Sequence, residues 1–160
     1  MLKILPVETK KDVETAQELF AEYADSLRFD LCFQNFEEEL ANLPGEYVPP
    51  GGCLLLAKYK GEAAGCVALR KLNCDICEMK RLYVKPRFRG LKIGIKLVEA
   101  VVIEARTIGY SRVRGDTVPS MQHAQALYAS FGFEEIEPYR YNPIEGAKFI
   151  ELNLKGTSGS

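Results

Sequence analysis

Val84-Lys85-Pro86-Arg87-Phe88-Arg89-Gly90-Leu91-Lys92-Ile93-Gly94 is the stretch whose reading orders the rest of the chain. A strand-like run from Cys77 to Val84 stops at Pro86, and apolar residues at helical spacing predict one long helix from Leu91 to Ile108. A helix starting there leaves its first backbone N–H groups without intrahelical acceptors and turns the positive end of its dipole toward the loop. Arg87, Arg89, Lys92 and Lys96 add side-chain charge within the same few residues. Such a junction builds an anion site, most often for phosphate. Gly90 and Gly94 lack a Cβ and so let a ligand approach the backbone closely. There is no G-x-x-x-x-G-K-[ST] and no G-x-G-x-x-G, which excludes the Walker loop and the dinucleotide fingerprint. Taken alone, the stretch also fits a basic loop capping an ordinary helix.

At 160 residues the chain suffices for one domain and is short for two. Residues 1–154 are expected to form that domain, with 155–160 a disordered polar tail that has nothing to bury. Apolar residues at 47% and charged residues at 27% belong to an ordinary globular protein able to bury a sizeable core. A formal charge of −1 argues against nucleic acid as an obligatory partner. No window approaches 18 uninterrupted apolar residues, and the N-terminus lacks a charged region followed by an apolar run. Neither a membrane span nor a signal peptide is expected, and the cytoplasm is the expected compartment.

The five cysteines fit that compartment. Cys53 and Cys66 sit in apolar strand-like runs, where a small buried thiol is ordinary. Cys74-Asp75-Ile76-Cys77 has C-x-x-C spacing, but zinc needs two further ligands and the single histidine, His123, is remote in sequence. No metal is expected. A redox-active pair belongs at a helix N-terminus, whereas this one precedes a strand.

Taken in order, Leu2 to Val7 predicts a strand, and Lys11 to Leu27 a helix with Val13, Ala16, Leu19, Phe20, Tyr23, Ala24 and Leu27 at helical spacing. Asn35 followed by Glu37, Glu38 and Glu39 marks the start of a second, short helix that Pro44-Gly45 stops. Pro49-Pro50-Gly51-Gly52 is a loop. Cys53–Tyr59 and Ala63–Leu69 form a hairpin about Lys60-Gly61-Glu62. After the long helix come a strand at Arg112–Val118, a helix at Met121–Ser130, and strands at Phe133–Glu137 and Lys148–Leu154. The order β-α-α-β-β-β-α-β-α-β-β predicts a mixed α/β fold with helices on both faces of one sheet.

Two motifs in that order resemble the GNAT superfamily of acetyl-CoA-dependent N-acetyltransferases. Arg89-Gly90-x-x-Ile93-Gly94, after a strand ending Leu82-Tyr83-Val84, resembles the family's pyrophosphate loop, Arg/Gln-x-x-Gly-x-Gly/Ala. Lys92 stands where the family has its inner glycine. Ala124-x-x-Leu127-Tyr128-x-x-Phe131-Gly132-Phe133 resembles the family's A-x-x-L-Y-x-x-x-G-F segment, at the family's distance from the loop. Met121 replaces an asparagine usual three residues before that alanine. The resemblance covers residues 53–135. It implies a mixed, mostly antiparallel sheet with splayed central strands, acetyl-CoA as donor and CoA as product. Leu82, Tyr83, Val84, Arg89, Gly90, Leu91, Lys92, Ile93 and Gly94 are then the expected cofactor-binding residues.

The same resemblance implies roles for side chains. Leu127 and Phe131 at i, i+4 are expected core on any fold, and Gly132 a C′ glycine. Tyr128 reads either as a packed tyrosine or, as in relatives, as the acid that protonates the departing thiolate. A phenol of pKa about 10 is protonated at neutral pH, while a thiol has pKa about 8.5. An alkylammonium of pKa about 10.4 needs a base before it can attack. Glu78 resembles the family position for such a glutamate; the alternative is a solvent-facing acid paired with Lys80 or Arg70. Asp75, Glu134, Glu135, Glu145 and His123 are weaker candidates. The resemblance also implies a pantetheine arm lying between Leu82–Val84 and the strand near Arg112–Thr117, with a β-bulge freeing an N–H for the thioester oxygen.

The acceptor is expected to meet Asp25–Phe36 and Tyr139–Lys148. Arg28, Arg140 and the tyrosines could hold a carboxylate, and Asp25, Asp30 or Glu145 an amine. A small-molecule amine, or a peptide amine, is the expected partner of a monomer or homodimer. The alternative from another class is an acyl-CoA-binding sensory module without turnover.

Overall fold

The computed structural model describes residues 2–26, 36–117, 122–139 and 146–154. The elements in chain order are β1 (Leu2–Pro6), α1 (Lys10–Ser26), α2 (Phe36–Ala41), β2 (Cys53–Tyr59), β3 (Glu62–Lys71), β4 (Ile76–Val84), α3 (Ile93–Ile108), β5 (Arg112–Thr117), α4 (Gln122–Ser130), β6 (Glu134–Ile136) and β7 (Lys148–Asn153). This is the expected order. The expected N-cap Asn35, Met121 and the tail 155–160 lie outside the described residues.

Local chemistry accounts for the helix ends. Thr9 and Asp12 make a reciprocal box at the start of α1: Asp12 N–H donates to Thr9 Oγ1 at 3.0 Å, and Thr9 N–H donates to Asp12 Oδ2 at 3.2 Å. The helix therefore begins one residue before the expected Lys11. At the other end of the chain, α4 closes as a Schellman turn, with Phe133 N–H donating to Tyr128 O at 3.1 Å and Gly132 N–H to Ala129 O at 3.0 Å. Gly132 takes φ +98, which this motif requires at C′. The apolar contact that accompanies the turn is the Tyr128–Phe133 ring pair, 5.5 Å between centroids.

The strands form one seven-stranded sheet in the order β1-β2-β3-β4-β5-β7-β6, in which β4 and β5 are parallel and the other described pairs antiparallel. Helix α3 buries Ile93, Leu97, Val98, Val101, Val102 and Ala105 as a stripe on one face, joined there by Val67, Leu69, Met79 and Tyr128. The opposite face packs Ala16, Leu19 and Phe20 of α1 and Phe36 of α2 against Leu54, Leu56, Cys66 and Ala68. The sheet thus separates two cores, as alternating strand side chains require.

The ladder shifts register between β2 and β3 at Ala57/Lys58, and two further irregularities lie in β4. Ala68 pairs with Lys80 but Cys66 pairs with Tyr83, so β4 carries one extra residue against β3. Arg81, at φ +61, is the residue with left-handed backbone in this bulge. Gly65 faces the same region, and a Cβ there would lie 2.4 Å from Tyr83 O, so only glycine fits. On its other side β4 pairs with β5 only at Ile76↔Arg112, Cys77↔Val113 and Glu78↔Arg114. Beyond Glu78 the two strands part, as expected for splayed central strands.

The principal boundary correction concerns the loop. The predicted helix start at Leu91 moves to Ile93, because Pro86–Phe88 forms a turn of 3-10 helix and Lys92 is left-handed at φ +64, ψ 23. No helix among the described residues is long and apolar enough to cross a membrane.

Candidate active site

The loop between β4 and α3 carries the expected anion site. Lys92 O accepts the Lys96 N–H at 3.2 Å, so the N–H groups ahead of Lys96 have no intrahelical acceptor. Lys92 takes the left-handed conformation that explains a glycine at this place, and its side chain is exposed. Arg89 lies over the Tyr83 ring at 5.9 Å and donates from Nε to Val84 O at 3.1 Å, which fixes it beside the end of β4. Arg87 is instead ion-paired to Glu62 and Lys96 to Glu99, so the loop's four cations are not equally available. Ile93 is buried under the loop and Leu91 is exposed; Ile93 can contribute only its main chain to a ligand. At Gly94 a Cβ would meet nothing nearer than 3.4 Å, so the protein's own packing does not demand glycine there.

The gap between β4 and β5 is the second component. Tyr83 and Leu82 flank it, but the Tyr83 hydroxyl donates to Glu22 Oε1 of α1 at 3.1 Å. What β4 offers the gap at these positions is therefore backbone. The Arg81 carbonyl of the bulge is taken by the buried Cys66 thiol, which donates at 3.3 Å and whose pKa burial pushes well up. That contact gives Cys66 a job that its apolar setting did not reveal.

Tyr128 is buried on the α3 face, more deeply than Leu127 and Phe131, the two residues expected to be core. Its hydroxyl has no hydrogen-bond partner among the described residues. Burial pushes its pKa up, and the charges that Tyr23 and Asp116 can carry push it further. Tyr23 belongs to α1 on the opposite face of the sheet. A buried hydroxyl without a partner among the described residues is a group that a ligand can complete.

Glu78 occupies the last β4–β5 pair, at the vertex of the splay. It is fully buried, which corrects the alternative of a solvent-facing acid, although that alternative named one of its partners. Arg70 donates from Nε and Nη2 to Oε1, each at 2.8 Å, and the Tyr139 hydroxyl donates to Oε2 at 2.7 Å. Glu46 holds the outer side of Arg70 at 3.0 Å. Both oxygens of the buried carboxyl thus accept from neighbouring donors. Among the weaker candidates, Asp75 sits in the exposed β3–β4 turn and Glu134 and Glu135 on the exposed edge strand. Glu145 and the side chain of His123 lie outside the described residues, as do Arg28, Asp30 and Arg140.

Two groups near the gap escaped the sequence reading. Arg81 forms a two-pronged pair with Glu39 of α2, Nε to Oε2 at 3.0 Å and Nη2 to Oε1 at 2.8 Å, and lies under the rings of Tyr23 and Phe36. Asp116 shares a face of β5 with Arg114, two residues away. Tyr139 lies in the expected acceptor segment, whose tyrosines were expected to hold a carboxylate of the acceptor; its hydroxyl donates instead to the protein's own Glu78. The C-x-x-C pair is split, with Cys74 exposed and Cys77 buried, both as free thiols. No described group of three or more His, Cys, Asp or Glu could hold a metal ion.

A chain that presents helix N–H groups, strand backbone along a cleft and an unpartnered phenol suits a long ligand with a phosphate end and a reactive end. Comparison with known proteins identifies the family. The model of the Acetyltransferase (GNAT) family matches residues 13–133. An uncharacterised N-acetyltransferase of Schizosaccharomyces pombe is 40% identical over 96% of this chain and 95% of its own length. Another, from Dictyostelium discoideum, is 33% identical over 93% of this chain and 98% of its own. A GNAT-family acetyltransferase from Staphylococcus aureus superposes with a TM-score of 0.81, covering 97% of this chain and 100% of that one, at 23% identity. One from Elizabethkingia anophelis, solved with acetyl-CoA bound, superposes at 0.60 over 96% and 98%, at 22% identity.

Proposed function

The chain belongs to the GNAT family and is an N-acetyltransferase, and on that premise we propose that it moves acetyl from acetyl-CoA directly to a primary amine of a small molecule. The observation carrying this reading is the gap beyond Glu78↔Arg114, together with the buried hydroxyl of Tyr128, which has no partner among the described residues. Acetyl-CoA, when bound, supplies an acetyl group activated as a thioester. The first-turn N–H groups of α3, with Arg89 and Lys92, hold its pyrophosphate, and the turn through Gly90, Leu91, Ile93 and Gly94 shapes that end. The backbone of Leu82, Tyr83 and Val84 receives the pantetheine arm as an added strand. The bulge at Arg81 frees main-chain donors from the β3 ladder to polarise the thioester oxygen.

Tyr128 holds the proton that the departing thiolate needs. Its raised pKa keeps it protonated, so it first donates a hydrogen bond and yields the proton as charge develops on sulfur. It recovers a proton from the attacking nitrogen, which stays cationic until that loss leaves the neutral amide. Glu78 receives the proton that the acceptor ammonium must lose before attack, since only about one amine in a thousand is free at pH 7. The groups converging on the gap from α1, α2, β5 and Tyr139 suit a small amine.

The test is thiol release from acetyl-CoA against a panel of primary amines, for wild type and Tyr128→Phe. The variant should fold and bind acetyl-CoA while turnover falls about 10²-fold or more. A donor with a low-pKa thiol should lose less than acetyl-CoA does, because its thiolate needs less help. Equal losses on both donors would make Tyr128 a packing residue. Binding of acetyl-CoA without release to any amine would favour the acyl-CoA-binding module.

A further inference from the structure

Glu78 has no exposed surface, and the acceptor's proton must nevertheless reach it. Its Oε1 is held by Arg70, a guanidinium that neither gives up nor passes a proton. Its Oε2 is met by the Tyr139 hydroxyl, a group that donates and accepts at once. The Tyr139 ring is half-buried and clamped, edge-on to Phe149 at 5.0 Å and under the Arg114 guanidinium at 5.1 Å. Arg114 is itself fixed by Glu151 at 2.8 Å. The phenol oxygen is thus held against the Glu78 carboxylate.

We infer that Tyr139 is a proton relay between the acceptor amine and Glu78. This rests on the reading of Glu78 as base. An ammonium N–H of the acceptor gives its proton to Tyr139 Oη while the Tyr139 O–H bond breaks toward Glu78 Oε2. The amine gains its lone pair, Tyr139 ends as it began with a different proton, and the carboxylate becomes a carboxylic acid. No oxidant or further reactant enters. The arrangement lets a buried base act without exposing its charge to water. It also makes Tyr139 the group that the incoming amine touches, so an acceptor must present its ammonium at that oxygen. The charges bearing on the relay are Arg70 with Glu46 behind it, Lys80 on the same face of β4, Arg114 and Asp116 of β5, and Glu151 of β7.

The test compares kcat/KM against pH for wild type, Tyr139→Phe and Glu78→Gln. It uses acetyl-CoA and the fastest acceptor among an aliphatic amine, an amino acid, a polyamine, an aminoglycoside and a peptide N-terminus. Tyr139→Phe should lose about 10²-fold at neutral pH, and the loss should shrink as pH nears the amine's own pKa, with acetyl-CoA affinity unchanged. In mixtures of light and heavy water, wild-type rates should report two protons in flight, and Glu78→Gln should not. A one-proton dependence in wild type overturns the relay whether or not the variant folds. So does a Tyr139→Phe loss that is absent or equal at every pH, since a packing role predicts no pH dependence. If Glu78→Gln behaves as wild type, the base assignment has failed and the relay with it. If Glu78→Gln shows the pH-dependent loss and Tyr139→Phe does not, only the relay has failed.

Discussion

Lys92 stands where the family's loop pattern has a glycine, and it accepts the left-handed backbone that the glycine would take freely. That conformation costs a side-chain-bearing residue about 1–2 kcal/mol, against about 0.5–1 kcal/mol for the extra freedom a glycine loses on folding. Lys92→Gly should therefore stabilise the protein by up to about 1 kcal/mol, visible as a melting temperature a few degrees higher. The same change removes an exposed charge from the anion site. Acetyl-CoA binding should weaken by about 1 kcal/mol or less, and more at low salt. Melting and calorimetric titration at two salt concentrations read the two effects separately. A less stable variant, or binding indifferent to salt, would contradict the account. Tyr128 invites a second measurement at this scale. A phenol whose pKa is raised by burial stays protonated through the working range, so kcat/KM should rise with pH and show no falling limb below about pH 10. A falling limb near neutrality that vanishes in Tyr128→Phe would mean the phenol ionises far more easily than its burial allows.

At the scale of elements, β4 carries most of the site, and it is also where sequence and structure diverge. The loop, the stripe of α3 and the α4 turn were legible because each is written in adjacent residues: charge and glycine, a 3.6-residue period, and a glycine after a helix. The bulge was expected only by resemblance. Its left-handed residue is Arg81, which has no propensity for that conformation, and the glycine that makes room for it, Gly65, lies on another strand. The Glu78–Tyr139 bond joins residues 61 apart, and no local pattern signals such a contact. Arg81 is held by Glu39, and this pair gives the element a testable dependence. Burial alone would raise the Glu39 carboxyl, but the hydrogen bonds and charge of Arg81 outweigh it and bring it below its usual 4.5. A depressed carboxyl contributes stability that is full above its unfolded value and lost as pH falls through the folded one. Acid unfolding should thus steepen below about pH 4.5, and Glu39→Gln should flatten that limb. At neutral pH the same variant leaves a buried guanidinium without its anion and should lose about 3 kcal/mol in urea melts. A loss under about 0.5 kcal/mol would mean that the rings of Tyr23 and Phe36 and other contacts suffice to hold Arg81.

For the whole molecule, the sheet separates two cores yet is joined at its centre by only three β4–β5 residue pairs. The strands on one side of that junction, β1 to β4, and those on the other, β5 to β7, otherwise communicate through helices and the base cluster around Glu78. A ligand laid into the gap supplies the missing ladder, so binding should act as a structural closure as well as a recognition event. At a hundredfold excess over Kd, acetyl-CoA should stabilise the fold by about 2.7 kcal/mol, or roughly 5–10 °C for a domain of this size. The location of the effect discriminates more sharply than its size. Amide hydrogen exchange in residues 79–84 of β4 and in the first turn of α3 should slow beyond the global stabilisation, because those backbone groups face the gap or the pyrophosphate. Amides of β1, β2 and β6 should slow only as much as the global term requires. Tyr128→Phe should preserve this pattern, since its hydroxyl is assigned to proton transfer and not to holding the donor. Protection spread evenly over all seven strands, or confined to the α1–α2 side, would place the donor elsewhere and undo the assignment of the gap.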